Sequence, residues 1–132
     1  MPLWLRGEHS PQTFCAALAG AGHNPFNCIA ADLAEGAAFY TSADQLSPQT
    51  LAPGLYGLSN AALDTPWPKV ERLKAQLQHA LDHAASAAEL ATAMFDALAD
   101  KGTAPDDQLP ATGVPLDWER LLSAPFIHAP QR

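Results

Sequence analysis

The stretch Gly54-Leu55-Tyr56-Gly57-Leu58-Ser59-Asn60, followed by Leu63-Asp64-Thr65-Pro66-Trp67-Pro68-Lys69-Val70, organises the reading of this chain. Gly54 and Gly57 permit positive φ or close backbone approach. Pro66 and Pro68 fix φ and remove two ladder donors, so a strand over Leu55–Ser59 must stop before them. Thr65 then reads as the cap of a helix with proline in its first turn. The segment is therefore expected to be a short strand, a polar corner and a helix start. At such a corner, side chains and backbone N–H groups can converge on a ligand.

Working outward, the corner divides the chain into a strand-rich front and a helical back. In front, Ser10-Pro11 opens a helix with Phe14, Ala17, Leu18 and Ala21 on one face, closed by Gly20 to Gly22. Phe26 to Leu33 reads as a strand, Cys28-Ile29-Ala30 being a run fit for burial on both faces. Glu35-Gly36 turns it into a second strand, Ala37 to Ser42, as a hairpin. Asp44 to Pro53 reads as a connector, and Met1 to Leu5 as a strand remnant or frayed end.

Behind the corner, Trp67 to Ala84 is helical, with Val70, Leu73, Leu77, Leu81 and Ala84 on one face. Ser86-Ala87-Ala88-Glu89 is a capping box that begins a second helix, whose apolar side is Leu90, Met94, Phe95 and Leu98, ended by Gly102. The two are expected to pack as an antiparallel pair on one face of the sheet. Thr103 to Pro115 is a loop. Asp117 is expected to cap a short helix bearing Trp118, Leu121 and Leu122, and Phe126-Ile127 to start another strand.

Composition excludes several classes. The 132 residues suffice for one domain with one core, and 48% apolar against 16% charged residues suits a packed chain. A net charge of −7, with only 7 Lys and Arg and no cluster of them, argues against a nucleic-acid partner. No apolar run approaches the ~20 residues that span a bilayer, and no signal peptide is visible. Two cysteines, Cys15 and Cys28, give neither metal spacing nor a disulfide framework, which implies a reduced, cytoplasmic setting.

The candidates for chemistry each have a plain structural alternative. Ser59 and Asn60 offer an amide and backbone donors of the kind that stabilise an oxyanion, while Asn60 can equally bridge the turn. Trp67 and Lys69 suit an apolar, anionic ligand, or else a core ring with a lysine stem laid over it. His79 and His83 have metal-pair spacing but no third ligand, and read as a solvated face. Cys15 and Cys28 read as small apolar side chains, and Asp106-Asp107 as an exposed acidic loop.

Gly57-Leu58-Ser59-Asn60, Leu63-Asp64 and Pro66-Trp67-Pro68-Lys69-Val70 resemble the NRDE family, also called the transport and Golgi organisation protein 2 family. Arg6-Gly7-Glu8, Phe26-Asn27 to Asp32, Leu109 to Val114, Trp118-Glu119, Leu122-Ser123 and Phe126-Ile127 extend the likeness in order along the chain. The resemblance implies an α/β fold: an N-terminal-nucleophile hydrolase-like α-β-β-α sandwich with a mostly antiparallel sheet. Family members start Met-Cys and carry an Asn-Arg-Asp-Glu motif, whereas this sequence starts Met1-Pro2. It therefore reads as a single partial domain over 1–132, without the family's first hairpins and last strands.

On that reading the chain is a non-catalytic domain that binds a small ligand or a partner chain. One alternative is an amidohydrolase when a cysteine-bearing segment is supplied. Another, from the family's associations, is haem or lipid trafficking. The ligand-binding candidates are Ser59, Asn60, Trp67, Lys69 and Asp32, with no catalytic residue, metal ligand or cofactor assigned. The partners expected are a small molecule (haem or an acyl compound) and a second copy of the chain through open sheet edges.

Overall fold

The computed structural model describes residues 6–7, 9–19 and 22–128. The expectations for Met1 to Leu5, Glu8, Gly20 and Ala21 lie outside the described residues. The chain is a mixed α/β protein whose residues cluster in two units. One runs through Gly54 and includes Asn60–Leu63; the other is Leu55–Ser59 with Asp64 onward.

In the first unit, helix α1 spans Pro11–Leu18. The Ser10 hydroxyl accepts from the Thr13 N–H, and Pro11 takes the first helical position, where no donor is needed. Its inward stripe is Pro11, Phe14, Cys15 and Leu18, with Cys15 fully buried and Ala17 exposed. The expected face was thus about one residue out of phase, because the small thiol, not Ala17, meets the sheet.

The strands β1 (Asn27–Asp32) and β2 (Ala37–Ser42) form the expected antiparallel hairpin, with Ala30 opposite Phe39. Gly36 adopts φ 63° in the turn, and Asp32 Oδ1 accepts from the Ala34 and Glu35 N–H groups at 2.9 and 3.2 Å. Cys15, Ala30 and Phe39 form the core beneath α1. On the opposite sheet face, buried Tyr40 donates to Asn27 Oδ1 at 2.6 Å and accepts from the Leu63 N–H at 3.2 Å. Asn27 Nδ2 donates to the Ala61 carbonyl, so this pair pins segment 60–63.

The third strand is not where the sequence suggests. β3 is Gln49–Leu51, inside the presumed connector, and it pairs antiparallel with Ala38–Tyr40. Residues 55–59 form no strand, because the Gly57 backbone groups bond to Asp64 instead of to a neighbouring strand. The sheet order among the described residues is β1-β2-β3.

In the second unit, α2 (Pro68–His83) and α3 (Ala87–Leu98) pack together as an antiparallel pair. The first residue of α2 is Pro68, so Trp67 and not Thr65 occupies the cap position, without a side-chain cap bond. The capping box at Ser86 holds: its hydroxyl accepts from the Glu89 N–H, and Glu89 accepts from the Ala85 N–H. Val70 and Ala80 are the buried residues of α2, and Ala97 that of α3. Phe95 sits about 200° around α3 from Ala97 and is 73% exposed, not part of the apolar side.

The short α4 (Leu116–Leu122) starts after Pro115, whose carbonyl accepts from Trp118 and Glu119. Asp117 therefore lies inside the first turn and does not cap it. Phe126-Ile127 forms no strand; the Phe126 N–H donates to the Asp100 carbonyl.

Candidate functional site

The corner is built by a local lock in the second unit. The Asp64 N–H donates to the Gly57 carbonyl at 2.8 Å, and the Gly57 N–H donates back to Asp64 Oδ1 at 2.8 Å. Lys74, one turn into α2, donates its Nζ to the same oxygen at 2.9 Å. Asp64 adopts φ 57°, a left-handed conformation that a short polar side chain tolerates better than most. The Gly57 N–H and then the Lys74 ammonium hold the Asp64 carboxyl below the usual carboxylate range. The hydrogen bond to Asp64 raises the Lys74 ammonium in turn.

Gly57 is needed here for close approach. A Cβ at this position would overlap Val70 Cγ1 on the buried side of α2 and crowd Lys74 Cδ at 3.2 Å. The lock therefore lays the Tyr56–Leu58 backbone against α2.

Between that backbone and the helix pair lies a cavity of about 170 Å³. Tyr56, Leu58, Leu73, Leu77, Met94 and Leu98 supply most of its wall, and Lys74 is the charged residue among those lining it. This volume is close to that of an engineered apolar cavity, about 150 Å³, that admits a six-carbon ring. The arrangement is an apolar slot with one cation at its side and no Cys, Ser or Thr in its lining.

None of the sequence-derived candidates lines this slot. Trp67 and Lys69 do meet, with Nζ 5.4 Å from the ring centroid, and burial holds the Lys69 ammonium below the usual lysine range. Neither lines the cavity. Ser59 is half-buried, Asn60 is exposed at the start of the segment pinned by Tyr40 and Asn27, and Asp32 serves the hairpin turn. Asp64, quoted above only as part of a motif, and Lys74 were not among the sequence-derived site candidates. The signal available was an Asp placed before Thr-Pro and seven residues after a glycine.

The histidines stack on each other with centroids 4.1 Å apart. His83 Nδ1 lies 2.8 Å from the His79 carbonyl, which can only accept, so that nitrogen carries the proton. Among the described residues, no group of three or more His, Cys, Asp or Glu side chains converges on a metal-sized site. No helix there is long and apolar enough to cross a membrane.

The later block is tied down by polar contacts that explain its residue types. Buried Glu119 accepts from both the N–H and the hydroxyl of Thr112. Ser123 accepts from the Ala104 N–H at 2.8 Å, and Arg120 grips Asp106 with two bonds at 2.7 and 2.6 Å. Arg72 reaches Asp100 and the Gly102 carbonyl at 3.2 and 2.6 Å.

A family model described as Transport and Golgi organisation 2 matches residues 2–132. The chain belongs to the transport and Golgi organisation 2 family. The Transport and Golgi organization protein 2 homolog of Bos taurus is 38% identical over 73 residues, covering 51% of this chain and 26% of that protein. The Homo sapiens homolog is 43% identical over 58 residues, covering 41% of this chain and 21% of its own length. The Mus musculus homolog is 37% identical over 73 residues. These matches span about a quarter of each relative's length. Within the transport and Golgi organisation 2 family, then, the present chain carries the Gly57–Asp64 lock and the slot beside it.

Proposed function

We propose that this chain acts as a binding domain for a small acyl compound, held with its alkyl part in the slot between α2, α3 and the Tyr56–Leu58 backbone. The carrying observation is the cavity itself: about 170 Å³, walled by Leu73, Leu77, Met94 and Leu98, with Lys74 beside it. An apolar wall with one cation suits a short chain that ends in a carboxylate or other anion. The volume favours such a chain over a haem macrocycle, and the lining holds no group placed for hydrolysis. Trp67 and Lys69 form a second apolar and cationic pair, with Nζ 5.4 Å from the ring centroid.

The reading keeps the domain non-catalytic, with the sandwich fold of N-terminal-nucleophile hydrolases as its architectural frame and the cytoplasm as its compartment. The two free thiols accord with that compartment. β1 and β3 lie at the ends of the described sheet, and a second copy pairing along them is part of the reading.

Burying the five alkyl carbons of a six-carbon acid yields about 4 kcal/mol at ~0.8 kcal/mol each, which corresponds to a Kd on the order of 1 mM. Calorimetric titration with hexanoate tests this. Saturable 1:1 binding with a negative heat-capacity change is expected. Absence of saturable heat up to tens of millimolar (~10-fold above the expected Kd) would contradict the proposal.

A further inference from the structure

The first unit holds a pair of thiols that the slot does not use. Cys15, on α1, is fully buried against Ala30 and Phe39. Cys28 lies two residues before Ala30 in β1, so both side chains stand on the sheet face that α1 covers. Cys15 Sγ points over this pair of strands, 3.9 Å from the Phe39 carbonyl. Cys28 is thus the next side chain along that face from Ala30, which packs in one cluster with Cys15. Both are free, and they differ in access: Cys15 is sealed, whereas Cys28 is half-buried.

From this juxtaposition we propose that Cys15 and Cys28 are a disulfide-forming pair, oxidised by a small disulfide such as glutathione disulfide to staple α1 to β1. The difference in access sets the order of events. The Cys28 thiolate attacks one sulfur of the oxidant and expels one glutathione thiolate, leaving a mixed disulfide on Cys28. Cys15 then loses its proton to that thiolate or to solvent, and its sulfur attacks Cys28 Sγ. The Cys15–Cys28 bond forms as the second glutathione leaves. Two protein thiols lose two electrons and two protons in all, and glutathione disulfide becomes two glutathiones.

Burial and then the neighbouring Cys28 push the Cys15 thiol up to about 11, and burial also raises Cys28. Oxidation is therefore slow at neutral pH and accelerates as pH rises. Closing a loop of about 15 residues removes entropy from the unfolded chain, so the linked state should resist heat better than the dithiol.

The test incubates the folded protein with glutathione disulfide, then denatures and alkylates it for intact-mass and non-reducing peptide analysis. The expected product has lost two hydrogens, takes up no alkylating agent, contains a peptide linking Cys15 to Cys28, and melts at a higher temperature until dithiothreitol is added. Cys15→Ala should stop with one glutathione on Cys28, and Cys28→Ala should stay unmodified while folded. Retention of two glutathiones by the native chain would overturn the proposal, as would linkage between chains or no loss of thiols. Should Cys15→Ala fail to fold, Cys28→Ala still decides the order: rapid glutathione uptake on Cys15 in that variant would contradict it.

Discussion

Gly57 and Asp64 close on each other in both directions, each giving its N–H to the other at 2.8 Å. The backbone at Gly57 is thereby fixed against α2, although Asp64 must adopt φ 57° to make the closure. A left-handed non-glycine residue costs on the order of 1–3 kcal/mol. The two backbone closures and the Lys74 contact offset that cost.

Replacing Asp64 separates the two effects. Asp64→Ala loses the acceptor for Gly57 and Lys74 and keeps the strain, so it should destabilise the chain by about 1–3 kcal/mol. Asp64→Gly loses the same bonds and relieves the strain, and should be milder by about 1 kcal/mol. Urea unfolding of the two variants checks the order. Equal loss would mean that the backbone at position 64 is not strained.

Gly57→Ala should destabilise by about 1–3 kcal/mol through overpacking against Val70. Adding Val70→Ala should recover part of that loss, since the overlapping methyl is then gone. A double variant whose loss is the plain sum of the two single losses would place Gly57 away from Val70.

Acid should weaken the fold through three carboxyls held below their usual range. Gly57 and Lys74 do this for Asp64, Gly102 and then Arg72 for Asp100, and Arg120 for Asp106. Each is more acidic folded than unfolded, so its contribution is complete above the unfolded value and fades as pH falls through the folded one. Stability with respect to these groups should be flat above about pH 5 and decline below about pH 4. Asp64→Asn should make the acid decline shallower, as read from urea midpoints across that range.

Ser123→Ala strands the buried Ala104 N–H, which has the Ser123 hydroxyl as its acceptor. A loss of about 1–3 kcal/mol is expected. A neutral result would mean that water reaches Ala104.

What the sequence revealed, and what it hid, follows from the range of the forces involved. The Asn27–Asp32 and Ala37–Ser42 hairpin, the Ser10 cap and the Ser86 box were legible because local pattern and local hydrogen bonds decide them. Gln49–Leu51 was hidden: three residues carry no period, and their strand character comes from pairing with Ala38–Tyr40. Leu55–Ser59 has strand-like residues, yet its glycine backbone is committed to Asp64. Phe95 misled because hydrophobicity alone does not report that Ala97, and not Phe95, is the buried position of α3. The site suffered likewise. Trp67 and Lys69 stand out by type, while Lys74 becomes notable only once α2 carries it to Asp64.

The most direct test of the binding reading is a calorimetric chain-length series, from butanoate through hexanoate to dodecanoate, on the native chain and on Met94→Phe. A slot of about 170 Å³ should give affinity that rises to a chain of roughly six carbons and then levels. Met94→Phe, by narrowing the slot with a larger and stiffer side chain, should weaken hexanoate ~10-fold, equivalent to ~1.4 kcal/mol. Affinity that keeps climbing to dodecanoate and ignores the Phe side chain would contradict a bound chain in this cavity.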